Sequence, residues 1–319
     1  MADTAIEWAS KVWNPVVGCS LQSPGCTNCY AMRMAWRLQA MAQRPNGDGN
    51  HGLNHYAGTV QQSKGGPVWT GQVNVAPDEV FLAPLRRKKP TDYFVNSMSD
   101  LFHPAVPFEV VDRVFAVMAL SPQHIFKVLT KRSDRMRQYF ADLRHRDGPC
   151  DSMSIVWDVA QDIATDLGLL DRYQPTIRVL PNVWLGASVE DQARADERRE
   201  DFRATPAAVK FVSYEPALGY VNWAGWRFVD QIISGGESGP KARPSHPQSF
   251  RDTRDWCVAN GVAYFHKQNG EWVSVSEVAG AGDHYHFPDG ATVRKVGKKL
   301  AGRLLDGVEH NGMPEVRHG

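Results

Sequence analysis

The 319-residue chain is short of several things, and each shortage excludes a class. Cysteines number only five, an odd count without the even spread of a secreted disulfide framework. No apolar run approaches the roughly eighteen residues that a bilayer span requires. The first residues, Met1 to Trp8, lack the basic and apolar regions of a signal peptide, so a cytoplasmic location is expected. Net charge is nearly nil, +1 at pH 7, which excludes a global field that draws nucleic acid and leaves only local patches. No G-x-G-x-x-G follows an early strand-like run, and no G-x-x-x-x-G-K-[ST] occurs. Internal repeats and low-complexity segments are also absent from the sequence.

What is present is concentrated near the start. The run Gly18-Cys19-Ser20-Leu21-Gln22-Ser23-Pro24-Gly25-Cys26-Thr27-Asn28-Cys29-Tyr30-Ala31 spaces three cysteines as C-x6-C-x2-C. Three thiolates can hold three irons of a [4Fe-4S] cluster and leave the fourth iron open to a ligand, whereas a closed electron-transfer cluster calls for four. Cys26 and Cys29 stand at the spacing that grips neighbouring irons, and Pro24 with Gly25 supplies a turn that brings Cys19 round. Cys150 and Cys257 stand alone and read as small core residues. Two other readings of the triad are open: a structural zinc completed by a histidine such as His103 or His55, and half-buried thiols without a ligand.

Short apolar runs ending in small or polar residues alternate with helix-like stretches. The runs begin with Val12 to Gly18 and continue at 93–100, 125–131, 183–190, 209–216, 231–237 and 262–268. Between them, Phe108 to Leu120 and Pro247 to Asn260 carry apolar residues at helical spacing. Strand-helix alternation predicts α/β architecture with a parallel sheet, specifically a parallel (β/α) barrel, complete or partial, of about six to seven units. The barrel is preferred to a dinucleotide-binding sheet because polar clusters sit at the C-terminal ends of the strands. It is expected over residues 1–269. A loop or lid is expected over about 45–71 and a helical insertion, built on Val156 to Leu170, over about 144–176. A C-terminal extension, 270–319, follows, with a hairpin over Tyr285 to Val293 and a basic stretch at Lys295 to Arg303.

The polar residues at successive strand ends are Ser97, Ser99 and Asp100, then Lys131, Ser188 with Glu190, Ser213 with Glu215, Glu237, and Lys267 with Gln268. Mixed carboxylates and lysines suit a ligand with an amine, a carboxylate and ribose hydroxyls, as S-adenosyl-L-methionine has. A lattice of mutual salt bridges inside the barrel is the other reading for each of them.

Over nearly its full length the chain resembles a three-cysteine-motif family encoded by bacteriophages and mobile elements, similar to a divergent branch of the radical S-adenosylmethionine superfamily. The resemblance rests on Trp13-Asn14-Pro15-Val16-Val17-Gly18-Cys19, Cys26-Thr27-Asn28-Cys29-Tyr30-Ala31, Ser97-Met98-Ser99-Asp100-Leu101-Phe102-His103, Val128-Leu129-Thr130-Lys131-Arg132, Trp184-Leu185-Gly186-Ala187-Ser188-Val189-Glu190, Gly235-Gly236-Glu237-Ser238-Gly239-Pro240 and Lys267-Gln268. It implies that Cys19, Cys26 and Cys29 bind a [4Fe-4S] cluster whose open iron takes the amine and carboxylate of S-adenosyl-L-methionine. Reductive cleavage then gives methionine and a 5'-deoxyadenosyl radical, with a flavodoxin or ferredoxin as electron donor. It places Ser97, Ser99 and Asp100 at the methionine amine, Lys131 at its carboxylate, and Glu190 with Ser188 at the ribose, Glu215 being a second candidate there. Gly235-Gly236-Glu237 resembles the superfamily's Gly-Gly-Glu run but falls at a late strand, and Lys267 completes the candidate cofactor contacts. The common spacing in the superfamily is C-x3-C-x2-C, three residues shorter than here.

Arg86 to Lys89 and the basic residues of Lys295 to Arg303 offer phosphate contacts, and Trp8, Trp13, Tyr56 and Trp69 offer stacking surfaces. A nucleic acid or nucleotide is therefore one expected substrate class, for modification or repair. The competing class is a zinc-stabilised, non-enzymatic nucleic-acid-binding module.

Overall fold

A computed structural model describes residues 6–43, 51–146, 153–176 and 179–315. Seven strands hydrogen-bond in sequence order into one sheet: β1 (Lys11–Trp13), β2 (Asp92–Val95), β3 (Ile125–Thr130), β4 (Val183–Ser188), β5 (Val209–Tyr214), β6 (Gln231–Gly235) and β7 (Ala263–Gln268). The sheet is all-parallel. Its order never reverses, so it has no switch point of the dinucleotide-binding kind, and β1 and β7 are its edges. That is the strand order of a partial parallel barrel. The strands are buried on both faces, which is why they read as continuous apolar runs and not as alternating ones.

The expected first strand, Val12 to Gly18, is interrupted. β1 stops at Trp13, and Val16–Val17 pairs antiparallel with Asn74–Val75. Pro15 lies at the break, where its missing N–H cannot extend a ladder.

The chain divides into two compact units. The first comprises residues 1–22, 29–185 and 204–208; the second comprises 23–28, 186–203 and 209–319.

In the first unit, helix α1 (Tyr30–Ala42) turns Ala31, Met32 and Ala35 inward against Val17, Tyr56, Val60, Trp69 and Met98. Cys19 and Cys29 pack on this same cluster. Helix α2 (Phe108–Ala119) buries Val111, Val114, Phe115 and Met118, the residues that gave its sequence periodicity. Helix α3 (Ser133–Arg146) follows β3, and helix α4 (Ser154–Leu167) lies where the run Val156 to Leu170 predicts one and packs on α2. Gly168, at φ 66°, closes α4 in the left-handed conformation that glycine adopts without a Cβ penalty.

The stretch expected as a loop or lid, 45–71, is more structured than its composition suggests. Residues 44–50 lie outside the described set. His51–Tyr56 is a 3-10 turn, and Val60–Ser63 pairs antiparallel with Gly66–Trp69 as a hairpin. Val60 and Trp69 are buried, whereas Gln61, Gln62 and Ser63 are exposed, so its one buried edge produced little periodicity. Trp8, Trp13, Tyr56 and Trp69 are core residues, at 7% exposure or less, and present no stacking face. The Trp13 indole donates to the carbonyls of Val80 and Phe81.

In the second unit, helix α5 (Gln192–Ala204) follows β4, and helix α6 (Pro247–Asn260) lies between β6 and β7. α6 has Pro247 in its first turn, where a missing N–H costs nothing, and ends at Gly261, φ 69°. Gly186 in β4 has no room for a side chain because the Phe211 ring of β5 occupies the space. The expected C-terminal hairpin is present as His284–His286 paired with Thr292–Lys295, and Trp272–Ser274 joins its other side. Cys257 is wholly buried on α6, and burial pushes its thiol up to about 12. Cys150 lies outside the described residues. No helix among the described residues is long and apolar enough to cross a membrane.

Candidate functional site

Two groups of strand-end polar residues stand out, one in each unit. In the first unit the turn after β2 begins at Asn96, which sits at φ 59° with its buried side-chain amide lacking a hydrogen-bond partner among the described residues. Ser97 donates its hydroxyl to Asn14 Oδ1 (3.2 Å), and Ser99 donates to the Val16 carbonyl (2.7 Å), tying this turn to the segment after β1. Asp100 is buried and accepts four hydrogen bonds: from the Phe102 amide (3.0 Å), Thr130 Oγ1 (2.7 Å), the Lys131 amide (3.1 Å) and Arg132 Nη1 (2.8 Å). Lys131 thus meets Asp100 through its backbone, and its side chain is half-buried.

Arg132 is the residue that sequence reasoning passed over. Its guanidinium, 4% exposed, points the same Nη1 at the Cys19 sulfur, 3.9 Å away, while Nη2 reaches the Ser20 carbonyl (3.3 Å) and hydroxyl (2.9 Å). Burial works against the charge of Arg132, but Asp100 and Cys19 more than offset it, so its pKa is raised and the cation is firmly held. A cation on a thiol sulfur favours the thiolate, the form that ligates metal. The signal was in the sequence: an arginine beside the predicted Lys131, one position past a strand end.

His103, one of the histidines considered for zinc, bonds Ser20 Oγ through Nε2 (2.8 Å) and accepts the Ala105 amide at Nδ1 (3.1 Å). Burial first, then the Arg132 charge, lower its pKa to about 4, so its ring is neutral at pH 7. His55 is likewise lowered by burial. No group of three or more His, Cys, Asp or Glu among the described residues is placed to hold a single metal ion.

In the second unit, carboxylates from the ends of β4 and β6 fasten the short segment 23–28. Glu190, wholly buried, accepts the Ser23 hydroxyl (2.7 Å) and Arg198 Nη1 (3.0 Å); Arg198 also donates to the Ser188 carbonyl (2.7 Å). A Cβ on Gly25 would come 2.5 Å from Glu190 Oε1, so the segment passes over this carboxylate only as glycine. Ser23 Oγ lies 3.9 Å from the Cys26 sulfur. At the other end of the segment, Glu237 takes Asn28 Nδ2 (3.0 Å) together with the Arg243 amide (2.8 Å), Nε (2.9 Å) and Nη2 (2.5 Å). Arg243 also reaches the Pro24 carbonyl (3.0 Å). Burial raises the Glu237 pKa, but the Arg243 and Asn28 hydrogen bonds outweigh it and leave it lowered.

The remaining candidates pair with each other. Lys267 Nζ lies 2.7 and 3.0 Å from the two Glu215 oxygens, and Gln268 Nε2 lies 3.2 Å from Oε1. The structure therefore brings Ser97, Ser99, Asp100 and Lys131 together in one unit. In the other it engages Glu190, Glu215, Glu237 and Lys267 in ion pairs, with Ser188 buried beneath Arg198.

Fold and strand ends together define an α/β protein with an open, sequence-ordered parallel sheet and a built polar shell after its strands. The chain belongs to the family described as "Protein of unknown function (DUF5131)", which matches residues 3–314. No curated protein and no solved structure matches it.

Proposed function

We propose that this protein is a radical S-adenosylmethionine-type enzyme whose Cys19–Cys29 segment holds a [4Fe-4S] cluster. The observation that carries the reading is the Arg132 guanidinium directed at the Cys19 sulfur, 3.9 Å away. The donor set suits iron-sulfur ligation. Three thiols occur with no fourth nearby in the sequence, Cys19 and Cys29 pack on apolar side chains, and a hydrogen-bond donor, Arg132 Nη1, faces the sulfur of Cys19.

The absence of a tight single-ion group is compatible with this reading. One zinc needs four donors converging at about 2.0–2.3 Å, whereas a cluster spreads its thiolates over separate irons. Of the two histidines considered for a zinc module, His103 has both ring nitrogens already engaged.

With S-adenosyl-L-methionine bound, such a cluster supplies one-electron reductive cleavage to methionine and a 5'-deoxyadenosyl radical, the electron coming from a flavodoxin or ferredoxin. The protein's own part is to hold and orient. Arg132 points its guanidinium at the Cys19 sulfur, and Asp100 holds Arg132 in place. Ser97 and Ser99 fix the turn after β2, and Lys131 beside them is the choice for a substrate carboxylate. Glu190 and Glu237 act on segment 23–28 and so on the placement of Cys26; Glu215 is committed to Lys267. The ribose role therefore falls less naturally on these carboxylates than on the polar groups after β2.

Anaerobic reconstitution tests the reading. It is expected to give a brown protein with about four irons and four sulfides per chain, which forms 5'-deoxyadenosine from S-adenosyl-L-methionine on reduction with dithionite. A colourless protein holding one zinc and no iron would contradict it.

A further inference from the structure

Helix α1 has two faces of different character. The inner one, Ala31, Met32 and Ala35, is core. The outer one exposes Tyr30 (51%), Met34 (42%), Trp36 (36%) and Met41 (41%), with Arg33 and Arg37 exposed among them. Among the described residues neither arginine has an ion-pair partner. Large apolar side chains left in solvent beside unpaired arginines call for an explanation.

The sequence on either side of this helix is one-sided in charge. From Trp8 to Pro77 the only acidic residue is Asp48, against five Lys and Arg, in a chain whose acids and bases otherwise nearly balance. The near-zero net charge conceals an excess of positive charge in this stretch of sequence.

We infer that the outer face of α1 binds single-stranded nucleic acid. Arg33 and Arg37, four residues apart, lie on one side of the helix where both can meet phosphates. Tyr30 and Trp36 offer rings for bases, and such stacking requires bases free of a duplex. From Tyr30 to Met41 the face runs about 16 Å along the helix at 1.5 Å per residue. A lipid surface fits less well. A helix lying in a membrane interface turns its most apolar side outward, whereas α1 turns that side into the core and places arginines in the middle of the exposed one.

Tyr30 directly follows Cys29 and donates its hydroxyl to the Ser97 carbonyl (3.2 Å), but the test does not depend on the cluster. The full chain, without iron or S-adenosyl-L-methionine, is titrated into a fluorescein-labelled oligothymidylate of about 20 nucleotides, and anisotropy is followed at several salt concentrations. Arg33→Glu with Arg37→Glu is expected to weaken binding at least roughly tenfold and to lower the slope of log K against log salt by about 1.4, near 0.7 per phosphate contact. Trp36→Ala is expected to weaken it roughly fivefold or more. Reversal of Lys298 and Lys299, on a short exposed helix elsewhere, should change it less than about twofold. Thermal melts check folding, and Arg33→Gln with Arg37→Gln serves if the reversal does not fold. No binding by the wild type, equal loss in both reversals, or preference for phosphatidylserine vesicles over the oligonucleotide would overturn the inference. Iron content, measured separately, decides the cluster reading whichever way this result falls.

Discussion

The two units use the same materials, buried carboxylates and arginines just past strand ends, to different effect. In the first, Asp100 and Arg132 form a pair whose cation has capacity left over, directed at the sulfur of Cys19 and the oxygens of Ser20. In the second, Glu190 with Arg198, Glu237 with Arg243 and Glu215 with Lys267 are spent on each other and on the backbone and side chains of 23–28. One arrangement acts on a reactive atom, and the other holds a segment. Residue type cannot distinguish them, because a buried ion pair is weak evidence for either stability or function until its remaining hydrogen bonds are traced.

Substitution can break this contrast. The largest effect is expected at Arg132. Arg132→Met strands Asp100 in the interior and should cost about 3–5 kcal/mol in denaturant unfolding, with loss of bound iron. The milder Arg132→Lys should retain the fold yet shift the cluster potential to more negative values, since a hydrogen bond to sulfur is removed. An unchanged potential would place Arg132 with the holding pairs. Next comes Glu190→Ala, which leaves Arg198 uncompensated and should cost about 3 kcal/mol. Glu190→Gln, by contrast, should leave the cluster potential where it was, and a clear shift would erase the distinction between the two units. Gly25→Ala should cost about 1–3 kcal/mol by pushing a methyl against Glu190; a neutral result in thermal melts would mean the segment does not pass over that carboxylate.

The smallest effect is expected at Arg243, which is a third exposed, and it depends on pH. Glu237 has a folded pKa below the ordinary 4.5, so its contribution to stability is present above that value and is lost as pH falls through the folded one. Arg243→Met should therefore destabilise by about 1–2 kcal/mol at pH 7, and the gap from wild type should close as pH falls from 4.5 through the lowered folded value. A gap that persisted in acid would show that Arg243 acts through packing.

Much of the sheet was legible because strands buried on both faces spell themselves as apolar runs. Seven of the helices and strands, α2, α6, β3, β4, β5, β6 and β7, lie within a residue or two of the bounds expected from sequence. The break at Pro15 was also written there, but the flanking valines masked it. The hairpin at 60–69 was hidden because three consecutive polar residues, Gln61 to Ser63, are exposed on a strand that buries only its first residue. The aromatic residues misled for a plain reason: a tryptophan near a basic run looks the same in sequence whether it is stacked in the core or open to solvent. Trp36 and Tyr30 are exposed, whereas Trp8, Trp13, Tyr56 and Trp69 are not. Of the strand-end residues Arg132 was passed over; the others were identified by type, but their partners, such as Ser23 for Glu190 across 167 positions, arise only from the fold.

The central claim is that the Cys19–Cys29 segment binds a cluster that cleaves S-adenosyl-L-methionine. Quantifying 5'-deoxyadenosine from anaerobically reconstituted, dithionite-reduced protein, beside a Cys26→Ala variant, tests it most directly. The account predicts product from the wild type and none from the variant. Iron-loaded wild-type protein that forms no 5'-deoxyadenosine, or a Cys26→Ala variant that forms as much, would contradict it.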